Sequence, residues 1–128
     1  MGSAADRRKT KRRIAMEDCL FCKIIAGEIP SKKMYEDEEM YIFCDIDPKA
    51  PKHYLMVPKA HFARLEEMTD EQAAVLGKCL KKLPSLTGLL GLENGYRLII
   101  NQGPDAGQTV FHLHVHILAG KKMEWNPA

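Results

Sequence analysis

Residues 111–120, FHLHVHILAG, place His112, His114 and His116 at alternate positions. Alternate residues of a β-strand lie on the same face, about 6.6 Å apart, so this spacing predicts a strand over 111–119 with three imidazoles on one face. The other face would be apolar and could pack against a helix, which leaves the imidazoles facing a cleft or another element. Its members are Phe111, Leu113, Val115, Ile117 and Ala119.

Three explanations compete for such a row of histidines: a solvated polar face, a structural metal site, and catalysis. Side chains spaced evenly along a strand do not all converge on one ion, which weakens the metal explanation for the row as a whole. Imidazole titrates near neutrality and can act as a nucleophile, an acid or a base. We therefore favour catalysis.

The loop before this strand, NQGPDAGQT at 101–109, supports that interpretation. Its glycines allow backbone N–H groups to approach an anion closely, and such loops bind phosphate oxygens. The side-chain amide of Asn101 and the hydroxyl of Thr109 add further polar groups. The sequence contains neither a P-loop nor a Rossmann glycine fingerprint, so a phosphate would have to be bound in another way.

The composition of the 128-residue chain, 45% hydrophobic and 28% charged, is typical of one globular domain. No apolar run approaches the ~18 residues of a membrane span, and no apolar stretch follows the basic N-terminus as in a secretory signal. We expect a cytoplasmic protein that does not contact a membrane. Four cysteines in such a compartment do not predict disulfides.

The net charge of +2 is unevenly distributed, because residues 1–15 hold six Lys or Arg and one Asp. Residues 16–128 therefore carry a net charge of −3. We expect 1–15 to be a disordered basic leader and 16–128 to be a single domain. The leader is either an appended or upstream extension before Met16, or a nuclear-localisation or nucleic-acid tail. Because the rest of the chain is mildly acidic, nucleic acid is the less favoured partner.

Thr69 and Gln72 form a predicted capping box that opens one long helix. Its expected buried positions are Ala73, Leu76, Leu80 and Leu83, with Cys79 packing on the same apolar face as a small hydrophobe. Pro84 should end or kink this helix because it lacks an amide proton.

The remaining elements are short and follow one another closely. They are a helix within 19–29 that ends at Gly27, and strands at 34–36, 40–45, 53–57 and 96–101 in addition to 111–119. The pattern predicts an α+β domain with an antiparallel sheet of about five strands and two helices.

Together with the three histidines, four stretches of the sequence resemble the histidine triad (HIT) superfamily of nucleotide hydrolases and transferases, and its Hint branch in particular. They are FCKIIAGEIPSKKMYEDE at 21–38, DIDPKAPKHYLMVPKAHF at 45–62, GYRLIINQGPDAGQTVFHLHVHILAG at 95–120 and MEWNPA at 123–128. The resemblance implies a HIT-like five-stranded antiparallel sheet with two helices that continues across a homodimer. It also implies that Trp125 contacts the other subunit, with packing on its own chain as the alternative.

The resemblance implies a purine nucleoside phosphoramidase in which His114 is the nucleophile. His114 would attack the α-phosphorus of an adenosine 5′-phosphoramidate or aminoacyl-adenylate and carry AMP until water releases it. A backbone carbonyl near His112 would hold His114 in its reactive tautomer, and His116 and His53 are the other implied catalytic residues. The implied nucleotide-binding residues are Asp45 and Ile46 at the ribose, with Asn101, Gly107, Gln108, Thr109, His114 and His116 around the phosphate.

Two other functions stay open at this point. One is a dinucleoside polyphosphate hydrolase of the Fhit-like branch, which would use the same His114 with a different leaving group. The other is a regulatory or scaffold protein that binds a purine nucleotide and has only incidental activity. Some sequence roles are also open, since His53 could be a strand-end histidine bonded to backbone and Asp45 a turn residue.

The pair Cys19-x-x-Cys22 could be a redox pair, half of a zinc site, or a coincidence. No thioredoxin-like βαβ pattern surrounds it, which disfavours the redox explanation. The resemblance implies a structural Zn²⁺ bound by Cys19, Cys22, His61 and His112, because many triad proteins use such a pair with two histidines. Other members of the branch lack the cysteines, so no cofactor would be required for the chemistry itself.

Overall fold

The computed structural model describes residues 18–125, and the predicted leader 1–15 lies outside the described residues. Five strands form one antiparallel sheet in the order β1-β2-β3-β5-β4, which confirms the predicted fold class. Their bounds are β1 Lys33–Glu36, β2 Met40–Cys44, β3 Lys52–Pro58, β4 Arg97–Ile99 and β5 Val115–Ala119.

Both predicted helices are present, and a one-turn helix follows them. They are α1 Leu20–Ile25, α2 Asp70–Lys82 and α3 Thr87–Leu90. Thr69 and Gln72 form the predicted capping box at the start of α2. The helix ends two residues before Pro84 and continues as a 3-10 turn, Leu83–Leu86, as expected where proline cannot supply an amide proton. Among residues 18–125, no helix combines the length and hydrophobicity that a membrane span requires.

The final strand is shorter than the sequence predicts. Ladder pairing of β5 begins at Val115, opposite Met56, so of the three histidines only His116 lies on the strand. The expectation that all three imidazoles share one strand face is therefore wrong. The physical reason is a bond outside the sheet: the N–H of Leu113 donates to the carbonyl of Phe62 at 2.8 Å. Phe111, predicted to be buried, is 67% exposed.

The sheet is covered on both faces, which explains why β2 and β3 are buried almost throughout. Helix α2 covers one face, where Leu76, Cys79 and Leu83 pack into the larger core. Leu80 was expected in this stripe but is 36% exposed, because the helix turns Cys79 rather than Leu80 toward the sheet.

Helix α1 covers part of the opposite face. Its Phe21 and Ile24 pack on β2 and β3 in a second, smaller core. The side chains of His53 and His116 lie on this same face, because His116 pairs with Leu55 and His53 is two residues before Leu55 on β3. The sheet and α1 therefore bring the histidines together beside the smaller core.

Candidate active site and metal centre

His114 is a buried, neutral imidazole whose tautomer is fixed by its own backbone. Its Nδ1 lies 2.8 Å from the carbonyl oxygen of His112, which can only accept, so Nδ1 carries the proton and Nε2 keeps a lone pair. Burial lowers the pKa of His114, although the bond to the carbonyl opposes this shift. The ring of Phe21 meets it edge-on with centroids 4.9 Å apart. The result is an oriented, uncharged imidazole with a lone pair on Nε2.

His116 and His53 form a hydrogen-bond chain beside it. The N–H of Lys49 donates to Nδ1 of His53 at 3.0 Å, so the proton of neutral His53 is on Nε2. That Nε2 lies 2.9 Å from Nδ1 of His116, which must accept, and the proton of His116 is therefore on its own Nε2. Burial, with His114 and His53 nearby, lowers the pKa of His116 to about 4. His116 is thus a neutral N–H donor near neutral pH.

Asp45 completes this cluster from the end of β2. Its Oδ2 lies 3.3 Å from Nε2 of His53 and 4.0 Å from Nδ1 of His116, and its Oδ1 accepts from the N–H of Asp47 at 2.8 Å. Asp45, His53 and His116 are close enough to bind an ion together. The N–H of Lys49 argues against this, because it occupies Nδ1 of His53 and keeps the proton on the nitrogen that would have to bind the metal. Burial also lowers the pKa of His53.

The other residues predicted to bind nucleotide lie in the segments that follow β2 and β4. Ile46 follows Asp45 and is 98% exposed, so its side chain is open to a ligand. Gly107 adopts φ +82°, a backbone conformation that favours glycine. Thr109 is exposed and lines a cavity together with Cys19 and Phe111. Asn101 is half-buried, and its carbonyl accepts from the side chain of Gln102 at 2.9 Å.

Gln108 has a structural role that the sequence did not suggest. Its buried side chain accepts from the N–H of Gly103 at 3.0 Å and donates to the carbonyl of Ala63 at 2.7 Å. Its own N–H donates to the carbonyl of Gly103 at 3.1 Å. Gln108 therefore fastens the glycine-rich loop to the segment after β3, and its contact with a phosphate stays a prediction.

The predicted metal ligands Cys19, Cys22, His61 and His112 converge on one point, with their ligand atoms within 4.8 Å of one another. Nδ1 of His112 lies 3.3 Å from Sγ of Cys19, 3.5 Å from Sγ of Cys22 and 3.1 Å from Nδ1 of His61. In a tetrahedral Zn²⁺ site, adjacent sulfur and nitrogen ligands are roughly 3.3–3.8 Å apart, given bond lengths of about 2.0–2.3 Å. The observed separations of 3.1–3.5 Å lie within about 0.2 Å of this range, so the residues fit a tetrahedral ion.

The surroundings of His112 suit a ligand as well. Its Nε2 donates to the carbonyl of Pro58 at 2.7 Å, which leaves Nδ1 unprotonated and aimed at the cysteines. Burial lowers the pKa of His112 to about 4 and also lowers the pKa of His61. Burial and the adjacent Cys19 raise the pKa of the Cys22 thiol to about 12 when no cation is near. Neutral imidazoles and two reduced cysteines form the donor set.

This arrangement can be compared with known proteins. Residues 26–123 match the HIT domain family. The chain belongs to the HIT domain family. A HIT-domain relative, protein HitA of Neisseria gonorrhoeae, is 48% identical over 80% of this chain and 96% of its own length. The 14 kDa zinc-binding protein of Zea mays is 39% identical over 97% of this chain and 98% of its own.

Solved HIT structures share the fold. A HIT family hydrolase from Legionella pneumophila Philadelphia 1 superimposes with a TM-score of 0.81 at 42% identity, covering 87% of this chain and all of that one. A histidine triad nucleotide-binding protein from Candida albicans gives a TM-score of 0.69 at 36% identity, with coverage of 85% and 86%.

Three groups that hold the site of this HIT domain in place were not predicted from the sequence. They are the Pro58 carbonyl, which fixes His112, the Lys49 N–H, which fixes His53, and the Gln108 side chain, which fastens the loop. The first two are backbone atoms, for which the side-chain sequence carries no signal. The sequence also gives little signal for the role of Gln108, because whether a loop glutamine is buried depends on the whole fold.

Proposed function

We propose that this protein hydrolyses purine nucleoside 5′-phosphoramidates and aminoacyl-adenylates, with His114 as the nucleophile. The observation that carries the proposal is the 2.8 Å contact between Nδ1 of His114 and the carbonyl of His112. This contact leaves a lone pair on Nε2 of the neutral imidazole. Nε2 can therefore attack phosphorus without a second residue to remove a proton from it. The hydrolase and nucleotide-binding descriptions of two related structures support the same class of reaction.

The proposed reaction has two displacements at phosphorus. Nε2 of His114 attacks the α-phosphorus and forms a nitrogen–phosphorus bond, while the bond from phosphorus to the leaving group breaks. The nitrogen of a phosphoramidate takes up a proton and leaves as an amine, and the acyl oxygen of an aminoacyl-adenylate leaves as part of a carboxylate. Water then attacks the same phosphorus, the bond to His114 breaks, and AMP is released with a proton. One difficult displacement is thus divided into two easier ones.

The neighbouring donors have a defined part in this proposal. His116 presents an N–H from Nε2, because its Nδ1 accepts from His53. A fixed N–H donor stabilises negative charge that develops on phosphoryl oxygens. We assign the same task to Thr109 and to the side-chain amide of Asn101. The N–H groups of Gly107 and Gln108 already donate to the carbonyls of Pro104 and Gly103, at 3.0 and 3.1 Å, so their part in binding phosphate requires these two bonds to open. Asp45 and Ile46 would contact the ribose, although one oxygen of Asp45 already accepts from Asp47.

We also propose that Cys19, Cys22, His61 and His112 bind a structural Zn²⁺. The ligand distances support this, as does the description of the maize relative as zinc-binding. Because protein ligands would fill all four coordination positions of the ion, the metal would have none open for the substrate. It would instead cross-link the start of α1, the 58–62 segment and His112.

A trapping experiment tests the function. The protein is mixed with a slowly cleaved adenosine phosphoramidate, and intact mass with peptide mapping locates an AMP adduct. We expect the adduct on His114 and a loss of kcat/KM of at least about three orders of magnitude in His114→Ala. An adduct on another residue, or native turnover by His114→Ala, would refute the assignment. Diadenosine triphosphate is the contrasting substrate, and its preferential cleavage would favour the polyphosphate hydrolase instead.

The same variant separates an enzyme from a scaffold. A scaffold that binds a purine nucleotide would retain its biological effect in His114→Ala while turnover is lost.

We further propose a homodimer in which the sheets of two copies join, and we place the protein in the cytoplasm, where the thiols of Cys19 and Cys22 would stay reduced.

A further inference from the structure

His112 belongs to two networks at once. Its side chain lies among the proposed metal ligands, with Nδ1 at 3.3 Å from Sγ of Cys19 and 3.1 Å from Nδ1 of His61. Its main-chain carbonyl accepts the proton of His114 Nδ1 at 2.8 Å. The metal cluster and the proposed nucleophile therefore share one residue, through its side chain on one side and its backbone on the other.

The peptide unit between residues 112 and 113 is held at both ends. Its carbonyl accepts from His114, and its N–H, which belongs to Leu113, donates to the carbonyl of Phe62 at 2.8 Å. Phe62 directly follows His61, another of the four ligands. A single ion bound by His61 and His112 would thus join the two segments whose hydrogen bonds orient this peptide.

The sheet does not supply this orientation. Pairing of β5 with β3 starts at Val115, beyond the peptide in question. The side chain of His112 is fully buried and fixed by Pro58, which lies at the end of β3 in the same 58–62 segment. The position of the carbonyl that accepts from His114 therefore depends on how segment 58–62 is joined to residues 112–113.

We propose that the metal centre is a positioning device for the nucleophile. Zn²⁺ bound by Cys19, Cys22, His61 and His112 holds the 112–113 peptide so that its carbonyl fixes His114 as the Nδ1–H tautomer. His61 and His112 are positioning residues that act through this peptide and do not touch the substrate. The inference rests on the proposed function for its kinetic consequence, while its structural consequence can be measured without any substrate.

The experiment uses full-length protein with ¹⁵N-labelled histidine, loaded with Zn²⁺ or freed of metal by a chelator. We expect the ¹⁵N resonances of His114 to show a single Nδ1–H tautomer with Zn²⁺ and a mixture of tautomers without it. The backbone amide spectrum should show that the protein is folded in both states. Turnover of an adenosine phosphoramidate should fall about 10–100-fold with little change in KM, the usual effect of losing a group that orients a reactive one. Adding Zn²⁺ back should restore both readouts.

Variants provide matched controls. In Cys19→Ser/Cys22→Ser the serine at 19 can still cap α1, as the thiol of Cys19 now does, but added Zn²⁺ should restore neither readout. Cys44→Ser changes a thiol outside the cluster and should behave as wild type. His61→Ala should match the double serine variant, whereas His61→Cys retains a metal ligand and should keep the single tautomer.

Three results would overturn the inference. The first is an identical His114 tautomer and identical turnover with and without Zn²⁺, and the second is a protein that binds no Zn²⁺. The third is global unfolding on metal removal, because the ion would then support the whole fold rather than one peptide. If Zn²⁺-loaded wild type cleaves no phosphoramidate, the proposed function fails, and the tautomer measurement still decides this inference.

Discussion

At the scale of single residues, the three histidines of the triad differ in which ring nitrogen carries the proton. Carbonyl oxygens of Pro58 and His112 fix the proton of His112 on Nε2 and the proton of His114 on Nδ1. His53 fixes the proton of His116 on Nε2. Three identical side chains therefore present different groups: His112 a lone pair on Nδ1, His114 a lone pair on Nε2, and His116 an N–H on Nε2, and these are the groups that the three proposed roles require.

His53 can be tested as the residue that orients His116. In His53→Ala, Nδ1 of His116 loses its donor, and we expect kcat/KM to fall roughly fivefold, the equivalent of one hydrogen bond of ~1 kcal/mol. His53→Gln has an amide that can donate in the same direction and should lose less. The ¹⁵N resonances of His116 should show mixed tautomers only in the alanine variant. Equal losses in both variants with an unchanged His116 tautomer would contradict this role.

The lowered pKa of His116 predicts how stability depends on pH. Its pKa is about 4 in the folded protein against an ordinary 6.5, so between these values the unfolded chain binds a proton that the folded protein does not. The free energy of unfolding should therefore decrease as the pH falls from 6.5 towards 4, by up to about 1.4 kcal/mol per pH unit for this group. Above pH 6.5 His116 is neutral in both the folded and the unfolded protein, so its titration no longer lowers the free energy of unfolding.

Urea denaturation at several pH values measures this effect. Other groups titrate in the same range, so the informative quantity is the difference between wild type and His116→Gln, which has no titrating ring. We expect the variant to lose less stability than wild type over the acidic range. Parallel curves for the two proteins would show that His116 does not titrate as described.

At the scale of elements, sequence periodicity located the five strands and the helices α1 and α2, but not the one-turn helix α3, and long-range contacts set the ends of these elements. The alternating pattern at 111–119 continues past the true start of β5, because the N–H of Leu113 bonds to Phe62 instead of joining the ladder. No local pattern contains that information. The metal ligands were predicted as a set from family resemblance, whereas the backbone groups that orient the histidines became visible only with the fold.

Helix α2 illustrates a second limit of periodicity. Spacings of three and four residues both fit one helix face, so the sequence predicts both Cys79 and Leu80 on the face that packs against the sheet. The structure buries Cys79 and exposes part of Leu80. The capping box and the break at Pro84 were predicted correctly, because both depend on chemistry within a few residues of the chain.

This difference yields a paired test of the core. Leu83 is buried in the larger core, and Leu83→Ala should lower the free energy of unfolding by about 2–5 kcal/mol. Leu80→Ala removes the same atoms from a partly exposed position and should cost well under half as much. Urea unfolding of both variants measures the two costs. Similar losses would mean that Leu80 is buried in solution, for example by a second subunit.

At the scale of the whole molecule, the two sheet faces have different tasks. Helix α2 and the larger core stabilise one face, and the other carries His53, His114 and His116 beside the smaller core around Phe21. Most of the apolar burial therefore lies away from the reactive side chains.

The edge of the sheet predicts the quaternary structure. Strand β4 pairs only with β5 among the described strands, so its other edge offers backbone groups to a further strand. Leu98, in the middle of β4, is 38% exposed, and Trp125 is largely exposed, with the guanidinium carbon of Arg97 5.9 Å from the centre of its ring. A second copy that adds its own β4 would cover these apolar groups and extend the sheet to both subunits.

Charge at this edge should separate the subunits. In Leu98→Lys, a two-fold related dimer would bring two like charges together across the joined strands, which is destabilising. We expect the wild type to sediment as a dimer and Leu98→Lys as a monomer at micromolar concentration, as measured by analytical ultracentrifugation. Leu65→Lys is the matched control, because Leu65 is also 38% exposed but lies in a 3-10 turn outside the sheet, and it should remain dimeric. A monomeric wild type, or dimers of both variants, would exclude β4 as the interface.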